Sequence, residues 1–542
     1  MPRILIYQQN PQSYENVHEM TTDLERIRLL NFTHIYINPI HLCSKTLSVQ
    51  GKIGSVYAIR LYSISSDTFA KTIRSAFLAD EDNKLEALIQ YTKKAKALGL
   101  LPLFDLVLKH VAHDYDFEAN SPLNRDWFED APREEMDDVI NFKYALTEEG
   151  NISDQAFIDN VWPEIFENFW KPYITFYMKT LGFTGARVDA IRYLPPKIQF
   201  DIYNLIRELT PEQQSPVIFS ELLFGERNNR ERMLESMIKH RCHPTHITNS
   251  LYWCNFSSYG IKARKWLGRE NDTLIILSTL CQATSDGGTV GFAGFHDGDP
   301  LLAVSLRYMA TSLLIDKKQF PNNSPQYKKK RQNVEVALKE FLQTHEISNT
   351  LLDLISHNDD LTQNLLQLID STIRLCLSAI AFSSNGGLLF QCGDEFCSLS
   401  KRSVFIGRYQ ECMMDWQENY FHQLTEFIRC LNEQLVGLPS GGNYFWVDHF
   451  FILGNDGILV TLLHYGKGYD GENYIALTNL MNEPFDFTEH HLKEINETLF
   501  KRELSQWNQE AAEKAVAKMS TATIITCGNI NNQLNSCVST YS

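Results

Sequence analysis

Short apolar runs alternate with amphipathic helical stretches along most of the 542-residue chain. The runs have the length of buried strands, and the stretches between them carry apolar residues at helix spacing. We interpret these ranges as strands: 4–7, 33–40, 101–107, 185–193, 217–221, 245–250, 288–295 and 387–395. Helical patterns lie at about 20–30, 84–98, 164–181 and 197–209. About eight strands that alternate with helices predict a parallel (β/α)8 TIM barrel of the α/β class.

Two segments interrupt this alternation. Residues 111–160 are longer than an ordinary strand-to-helix loop and contain an acidic run, so we interpret them as a short excursion after strand 3. Residues 316–375 carry apolar positions at helix spacing, which predicts a helical insertion before strand 8. We favour extra packing on the barrel wall as its role and keep a binding role as the alternative.

The pattern changes after about residue 445, where strand-like runs are joined by turns and predict a C-terminal antiparallel β domain. GKGYDG (466–471) matches the glycine pattern of dinucleotide sites, but a strand follows it, so we interpret it as a hairpin turn. The predicted domains are a barrel over 1–110 and 161–440, the excursion over 111–160, and the β domain with a polar tail over 441–542.

Charge and composition exclude several classes of partner. The chain has 66 acidic and 50 basic residues, a formal net charge of −16, and this field repels a phosphate backbone. No run approaches the roughly 18 apolar residues of a membrane span, and the first residues lack a signal peptide's apolar segment. Eleven scattered cysteines without a C-x-x-C pair fit reduced thiols. We expect a cytoplasmic protein without nucleic-acid or membrane partners, and keep signal-independent export as an alternative.

Charged side chains follow the ends of several predicted strands. Arg187 and Asp189 are two residues apart, so they point to the same face of their strand. Further acids and bases end other runs: Asp105 followed by His110, Glu221, and the pair His296 and Asp297. A single carboxylate there is commonly a helix cap or half of an ion pair. Several at the carboxyl ends of barrel strands meet on one rim, where barrel enzymes carry their active sites.

These segments resemble, in order, the signature regions of the α-amylase superfamily of glycoside hydrolases. The four regions are DLVLKH (105–110), GARVDAIRY (185–193), the glutamate of FSELLFG (219–225) and FAGFHD (292–297). Three further segments are similar to family segments: GSVYAIRLY (54–62), GGLLFQCGDE (386–395) and CMMDW (412–416). Each motif is short, but their order and strand placement are specific.

The resemblance implies catalytic roles for three carboxylates: the nucleophile Asp189, the general acid/base Glu221 and the transition-state stabiliser Asp297. Cleavage with retention needs one carboxylate that attacks and one carboxylic acid that protonates the leaving oxygen, about 5–5.5 Å apart. Arg187 would favour the charged form of Asp189. Nearby negative charge and burial would help Glu221 to keep its proton.

The same resemblance implies that other residues bind or support the substrate. They are Tyr57, Asp105, His110, Arg187 and His296. Tyr57 would stack on a sugar ring, while His110 and His296 would hydrogen-bond sugar hydroxyls. Asp105 would be a structural partner beside them. His110 also belongs to an H-x-x-H metal pattern, but a sugar-contacting role is the interpretation that we prefer.

The sequence departs from the family at four positions. Lys109 stands where an asparagine binds calcium in metal-dependent members, and Tyr193 stands where a histidine offers its carbonyl to the same ion. Because an ammonium cannot bind a cation, we expect no metal and no other cofactor. Ala186 and Phe295 replace a phenylalanine and an asparagine, which changes the packing and the acceptor side of the site.

The leading hypothesis is a retaining α-amylase-family glycosidase that hydrolyses α-1,4-glucan or malto-oligosaccharides. The same residues would serve glucosyl or maltosyl transfer, trehalose-synthase-like isomerisation or phosphorolysis. VDAIRYLP (188–195) is similar to a trehalose-synthase-like segment, so that branch stays open. A second hypothesis is a catalytically silent relative that binds a glycan, and a third is an unrelated barrel with a metal-hydrolase site.

Overall fold

The computed structural model describes most of the chain. The described residues are 3–45, 54–74, 84–117, 121–131, 138–147, 149–222, 235–249, 288–292, 336, 360–398, 422–438, 445–453, 458–465, 472–480, 484–506, 509–510, 512–513, 522–527, 530–532 and 540–541.

Eight parallel strands close into a barrel in their order along the chain, and the last strand pairs with the first. We number them barrel strands 1 to 8. Their bounds are Ile4–Gln9, His34–Ile37, Leu101–Leu106, Gly185–Val188, Val217–Ser220, His246–Asn249, Gly288–Phe292 and Gly387–Gln391. The predicted (β/α)8 barrel is therefore confirmed.

Helices cover the outside of the barrel and follow most of its strands. The α-helices are Val17–Leu29, Ser66–Thr72, Lys84–Ala97, Gln155–Asn160, Trp162–Ile165, Lys171–Thr175, Pro196–Leu209, Asp360–Ser383, His422–Gly437 and Glu489–Gln506. Two π-helical turns, Phe166–Trp170 and Phe176–Thr180, continue the helix before barrel strand 4. Short 3-10 turns lie at Pro11–Ser13, Arg125–Trp127, Ile191–Tyr193 and Asp394–Phe396.

The first helix shows how local sequence sets the bounds of an element. The Asn16 side chain accepts a hydrogen bond of 3.0 Å from the backbone N–H of Glu19, which caps the helix start. Asn31 adopts a left-handed φ of 62° just after the helix, a conformation that ends helices. The buried face recurs every three or four residues. Its members are Val17, Met20, Leu24 and Ile27.

The barrel interior forms a core of its own, separate from the strand-to-helix core. Its apolar members are Ile4, Ile6, Tyr36, Leu103, Val217, Phe219, Val290, Phe292 and Leu389. Two buried histidines, His34 and His246, also face inward because they pair with Ile6 and Phe219. Each ring Nδ1 lies 2.8 or 3.0 Å from the hydroxyl of the preceding threonine. Polar rings therefore share the lower barrel with the branched residues typical of this fold.

Barrel closure depends on a glycine at the start of barrel strand 8. Gly387 pairs with Ile4 of strand 1 and has a φ of 144°. A Cβ atom at this position would lie 1.8 Å from the Ile4 carbonyl oxygen. The two strands can approach only because this residue has no side chain.

The excursion after strand 3 contains a two-stranded antiparallel sheet, His110–Ala112 with Val139–Asn141. Backbone hydrogen bonds attach its returning chain to the barrel rim: the Phe142 N–H donates to the Lys109 oxygen, and the Leu146 N–H donates to the Tyr193 oxygen. The excursion thus starts and ends beside the predicted site.

The C-terminal β domain is confirmed, but its sheet is mixed. Phe445–Leu453, Ile458–Tyr465 and Glu472–Asn479 are antiparallel as predicted. Thr523–Cys527 then adds in parallel, and Thr540–Tyr541 in parallel to it, so the wholly antiparallel prediction is wrong for this edge. The reason is the helix Glu489–Gln506, which was not predicted and supplies the long crossover that parallel pairing requires. A separate pair, Phe485–Phe487 with Ile530–Asn532, is also parallel.

The predicted helical insertion over 316–375 falls largely outside the described residues. Its end lies in the helix Asp360–Ser383, which packs on the barrel and leads to strand 8. Among the residues that the structure describes, no helix combines the length and the apolar character needed to cross a membrane.

Candidate active site

Barrel strands 3, 4 and 5 lie side by side and bring the predicted carboxylates to one rim. Asp105 pairs with Arg187 in the register of strands 3 and 4. The parallel ladder continues one step beyond the strands: the Asp189 N–H donates to the Leu106 oxygen at 3.1 Å, and the Glu221 N–H donates to the Val188 oxygen at 2.9 Å. Backbone pairing therefore fixes the positions of Asp189 and Glu221 next to each other.

The guanidinium of Arg187 contacts the carboxylates of Asp105, Asp189 and Glu221. Arg187 Nη1 donates to Asp105 Oδ1 at 3.0 Å and to Asp189 Oδ1 at 2.5 Å, while its Nη2 donates to Glu221 Oε1. All four side chains are buried. Because three carboxylates surround one cation, the cluster carries an excess of negative charge whenever more than one of them is ionised.

The electrostatics of the cluster differ from the prediction in one respect. Burial alone would lower the pKa of Arg187, but the charges of Asp105 and Glu221 outweigh it and raise that pKa well above its usual value. We expected neighbouring negative charge and burial to help Glu221 to keep its proton, and the structure adds an ion pair with Arg187, a cation of the kind that favours an ionised carboxyl group. The neutral acid form of Glu221 therefore requires that this ion pair be weakened.

Asp105 is the carboxylate most perturbed by its surroundings. Burial raises its pKa to about 6, with a further increase from the charge of Asp189 and an opposing effect of Arg187. The Tyr36 hydroxyl donates to Asp105 Oδ2 at 2.5 Å, so the side chain is held from two sides. This agrees with a structural partner of the site.

Tyrosine rings form one wall of the site. Tyr57 is buried, its ring centroid lies 5.4 Å from Arg187 Cζ, and its hydroxyl is 3.1 Å from the Tyr36 hydroxyl. His110 is partly exposed, and its Nε2 lies 3.2 Å from the backbone carbonyl oxygen of Tyr57. Burial lowers the pKa of His110 to about 4, with Lys109 adding to the decrease and Asp189 opposing it. His110 is therefore a neutral ring near Asp189.

Sequence reasoning missed a polar row that supports Tyr57. Gln8 Nε2 donates to Asn38 Oδ1 at 2.7 Å, and Asn38 Nδ2 donates to the Tyr57 hydroxyl at 3.5 Å. Tyr36 and Asn38 alternate with apolar residues near the end of strand 2, and Gln8 lies near the end of strand 1, where Gln9 follows it. A polar residue at an inward position near a strand end is the signal for such a row, but without a charge it resembles ordinary strand composition.

Ala190, directly after Asp189, has a left-handed backbone with φ 47° and ψ 45°. This conformation is unfavourable for a residue with a Cβ atom. It directs the Ala190 N–H to Glu221 Oε2 at 3.2 Å, so the strained residue links the two carboxylate-bearing strand ends. Strain of this kind is concentrated at functional sites.

The position of the family's calcium ligands holds a different pair. Lys109 Nζ lies 3.7 Å from the centroid of the Tyr193 ring, a cation–π contact. An ammonium has only donors, so these residues do not fit a bound cation. Across the described part of the chain, no group of three or more His, Cys, Asp or Glu side chains could hold a metal ion.

The remaining candidates have separate outcomes. His296 and Asp297 lie outside the described residues, as does Phe295. Asp394 begins the 3-10 turn Asp394–Phe396 and accepts a hydrogen bond of 3.3 Å from the Gln391 N–H. Its neighbour Glu395 binds Arg26 at 2.5 Å and the Tyr7 hydroxyl at 2.7 Å, which ties strand 8 to strand 1.

The fold and rim define an eight-stranded parallel barrel protein with a cluster of buried carboxylates at the strand ends. Solved α-amylases share this fold. The α-amylase from Lactobacillus plantarum has a TM-score of 0.51 and 15% identity, covering 87% of each chain. The Anoxybacillus α-amylase has a TM-score of 0.52 and 13% identity, covering 89% of this chain and 87% of that one.

The cyclic α-maltosyl-(1→6)-maltose hydrolase from Arthrobacter globiformis, in complex with maltose, is similar at a TM-score of 0.52 and 11% identity, covering 87% of this chain and 90% of that one. No family model and no curated protein matches the sequence. At these identities the likeness establishes the fold alone: the chain has the fold of these α-amylases, and the predicted resemblance to the α-amylase superfamily is confirmed for the fold.

Proposed function

We propose that this chain is a retaining glycosidase that acts on α-linked glucosides, with α-1,4-glucan or malto-oligosaccharides as its substrates. The observation that carries the proposal is the contact of one guanidinium, that of Arg187, with both Asp189 and Glu221 at adjacent strand ends. Two carboxylates held by one guanidinium are close together, in keeping with the separation of about 5–5.5 Å of retaining enzymes.

Asp189 is the nucleophile in this proposal. Its Oδ1 accepts a hydrogen bond from Arg187, which orients the carboxyl group that attacks the anomeric carbon. Glu221 protonates the leaving oxygen and then accepts a proton from water, which hydrolyses the glycosyl-enzyme. Asp297 is proposed as the transition-state stabiliser from the family resemblance alone.

Glu221 must change its protonation state during this cycle. In the described site its carboxylate contacts Arg187, and its second oxygen accepts from the Ala190 N–H. A substrate oxygen that enters beside Asp189 and binds Arg187 would weaken the Arg187–Glu221 contact. Loss of that contact makes the neutral form of Glu221 more favourable in the low-dielectric site.

Tyr57, His110 and Asp105 form the substrate side of the proposal. Tyr57 presents an aromatic ring beside Arg187, and sugar rings stack on such surfaces. His110 is neutral at pH 7 and its Nε2 donates to the Tyr57 backbone oxygen, so its Nδ1 can accept one hydrogen bond from a sugar hydroxyl. Transfer, isomerisation and phosphorolysis use the same first step and differ only in the acceptor that meets the glycosyl-enzyme.

Product analysis with matched variants tests the proposal. Wild type, Asp189→Ala and a surface control, Asp159→Ala, are incubated with malto-oligosaccharides, trehalose and sucrose, with and without phosphate. We expect products from wild type and the control and none from Asp189→Ala. Shorter sugars indicate a hydrolase, longer sugars a transferase, a rearranged disaccharide an isomerase and a sugar phosphate a phosphorylase.

A trapping experiment tests the nucleophile directly. A fluorinated α-glucoside that forms a slowly hydrolysed glycosyl-enzyme should label the peptide that contains Asp189, as detected by mass spectrometry. Label on another carboxylate, or full activity of a folded Asp189→Ala variant, contradicts the assignment. Glycan binding without any product from wild type would favour the catalytically silent alternative.

A further inference from the structure

Lys109 is the last residue before the excursion, and its main chain and its side chain bind different partners. Its oxygen accepts a hydrogen bond of 3.0 Å from the Phe142 N–H, on the returning strand of the excursion. Its ammonium lies 3.7 Å from the centroid of the Tyr193 ring. Lys109 thus contacts the excursion through its backbone and the barrel rim through its charge.

Tyr193, on the barrel rim, also contacts the excursion through its backbone and a cation through its side chain. It ends the 3-10 turn Ile191–Tyr193, which begins two residues after Asp189. Its oxygen accepts a hydrogen bond of 2.8 Å from the Leu146 N–H. Arg192 Cζ also lies 4.4 Å from the Tyr193 ring centroid, and its guanidinium donates to the Tyr193 hydroxyl. The ring is a buried anchor for two cations.

The chemistry of this pair excludes the ion that the fold family implies at the same position. An ammonium and a guanidinium present only hydrogen-bond donors, and two positive charges beside one ring repel a divalent cation. A bound metal ion would bring a positive charge that holds the excursion to the rim. Here the side chain of Lys109 carries that positive charge itself. A cation–π contact is strongest where water is excluded, and Tyr193 is buried.

We propose that the ammonium of Lys109 is a built-in cation that fixes the excursion against the loop carrying Asp189, in place of a bound metal ion. The inference rests on the proposed function for its kinetic consequences. Lys109 is a positioning residue: it sets the place of His110, the next residue, and of the loop after Asp189. Activity and order of the excursion then depend on Lys109 and are independent of calcium.

Two pairs of variants separate charge from structure. Lys109→Met and Tyr193→Leu remove the contact, whereas Lys109→Arg and Tyr193→Phe keep a cation over a ring. Lys143→Met, another lysine of the excursion, is the matched control. For each variant, kcat and KM on malto-oligosaccharides and amide hydrogen exchange at residues 110–117 and 138–147 are measured in chelator and in millimolar calcium.

We expect wild type to give the same kcat/KM and the same exchange in chelator and in calcium. Lys109→Met and Tyr193→Leu should lower kcat/KM roughly tenfold to hundredfold, the range for misplaced site residues, and speed exchange in the excursion but not in the barrel strands. Lys109→Arg, Tyr193→Phe and Lys143→Met should stay within about threefold of wild type, because each preserves a cation over a ring.

Loss of wild-type activity or of excursion protection in chelator would overturn the inference. So would a Lys109→Met variant that equals Lys143→Met in both measurements. If Lys109→Met does not fold, Tyr193→Leu is compared with Tyr193→Phe, because the first removes the aromatic ring and the second keeps it. Equal activity and equal exchange in these two variants would also overturn the inference. A wild type that makes no product refutes the proposed function alone, since hydrogen exchange still tests the role of Lys109.

Discussion

Arg187 Nη1 lies 2.5 Å from Oδ1 of Asp189, two residues further along the same strand end. The same nitrogen lies 3.0 Å from Asp105 Oδ1 on the adjacent strand. Carboxylates from separate strands therefore share a single buried cation, and its removal takes an ion-pair partner from each of them at once. This dependence leads to the first prediction.

Arg187→Met should abolish turnover and lower the free energy of unfolding by about 3–5 kcal/mol, the cost of breaking a buried ion pair from one side. Arg187→Lys should recover part of the stability but little activity, because an ammonium cannot reproduce the two-nitrogen geometry. Urea denaturation and initial rates measure the two effects. A Met variant as stable as wild type would contradict a stabilising effect of the three ion pairs.

Tyr36→Phe should lower kcat/KM by less than tenfold. It should lower the free energy of unfolding by about 1–3 kcal/mol. Its hydroxyl donates to Asp105 Oδ2, and without it a buried acceptor loses a partner. Denaturation of Tyr36→Phe, Asp105→Asn and the double variant forms a thermodynamic cycle. Additive losses in that cycle would contradict a direct interaction between the two side chains.

Acid should destabilise the protein through its buried histidines. Burial lowers the pKa of His34 to about 4 and the pKa values of His41 and His246 to about 3. The unfolded chain binds these protons near pH 6.5, so the free energy of unfolding falls as pH falls below that value. Asp105 acts in the opposite sense, because its raised pKa of about 6 lets the native state bind a proton first.

The pKa of His110 is also lowered to about 4, so four histidines act against one carboxyl. The free energy of unfolding should therefore fall by up to about 4 kcal/mol per pH unit between pH 6 and 5. Denaturation midpoints in urea at pH 7, 6 and 5 measure it. His246→Phe should reduce the slope by about 1.4 kcal/mol per pH unit. A stability that is constant or rises on acidification would contradict the neutral state of these rings.

Gly387→Ala should prevent barrel closure or destabilise it by more than about 3 kcal/mol, since its Cβ would lie 1.8 Å from the Ile4 oxygen at a φ of 144°. Gly437→Ala is the control, because no atom lies within 4 Å of its Cβ position and alanine favours the helix by up to about 1 kcal/mol. Thermal unfolding of both variants tests the pair. Equal midpoints would show that strands 1 and 8 can separate without loss of the fold.

The barrel and the charged residues at its strand ends were predictable for two reasons. The periods of strands and helices alternate clearly along the sequence, and a polar side chain that points inward is energetically costly. Arg187, Asp189 and Asp105 follow from the two-residue repeat of strands and lie where that repeat places them. The direct contact between Arg187 and Glu221 was not predictable, since it depends on how far strands 4 and 5 are offset, which no local pattern encodes.

Other features depend on tertiary pairing that the sequence does not reveal. The parallel edge of the C-terminal sheet requires the crossover helix Glu489–Gln506, whose weak apolar face gave no clear helical period. The support of Tyr57 by Gln8 and Asn38 joins residues from strands 1 and 2 and becomes visible only when the barrel is closed. Polar residues without charge gave a signal too weak to separate from ordinary strand composition.

The left-handed backbone of Ala190 opposes folding but serves the site. Glycine would adopt the same φ of 47° without steric cost, so Ala190→Gly would give a more stable chain by local conformation alone. It would also free the peptide that donates to Glu221 Oε2 to sample other orientations. A methyl group that is unfavourable in this conformation therefore restricts the position of the Glu221 carboxyl group, and the chain gives up some thermostability for a more rigid placement of Asp189 and Glu221.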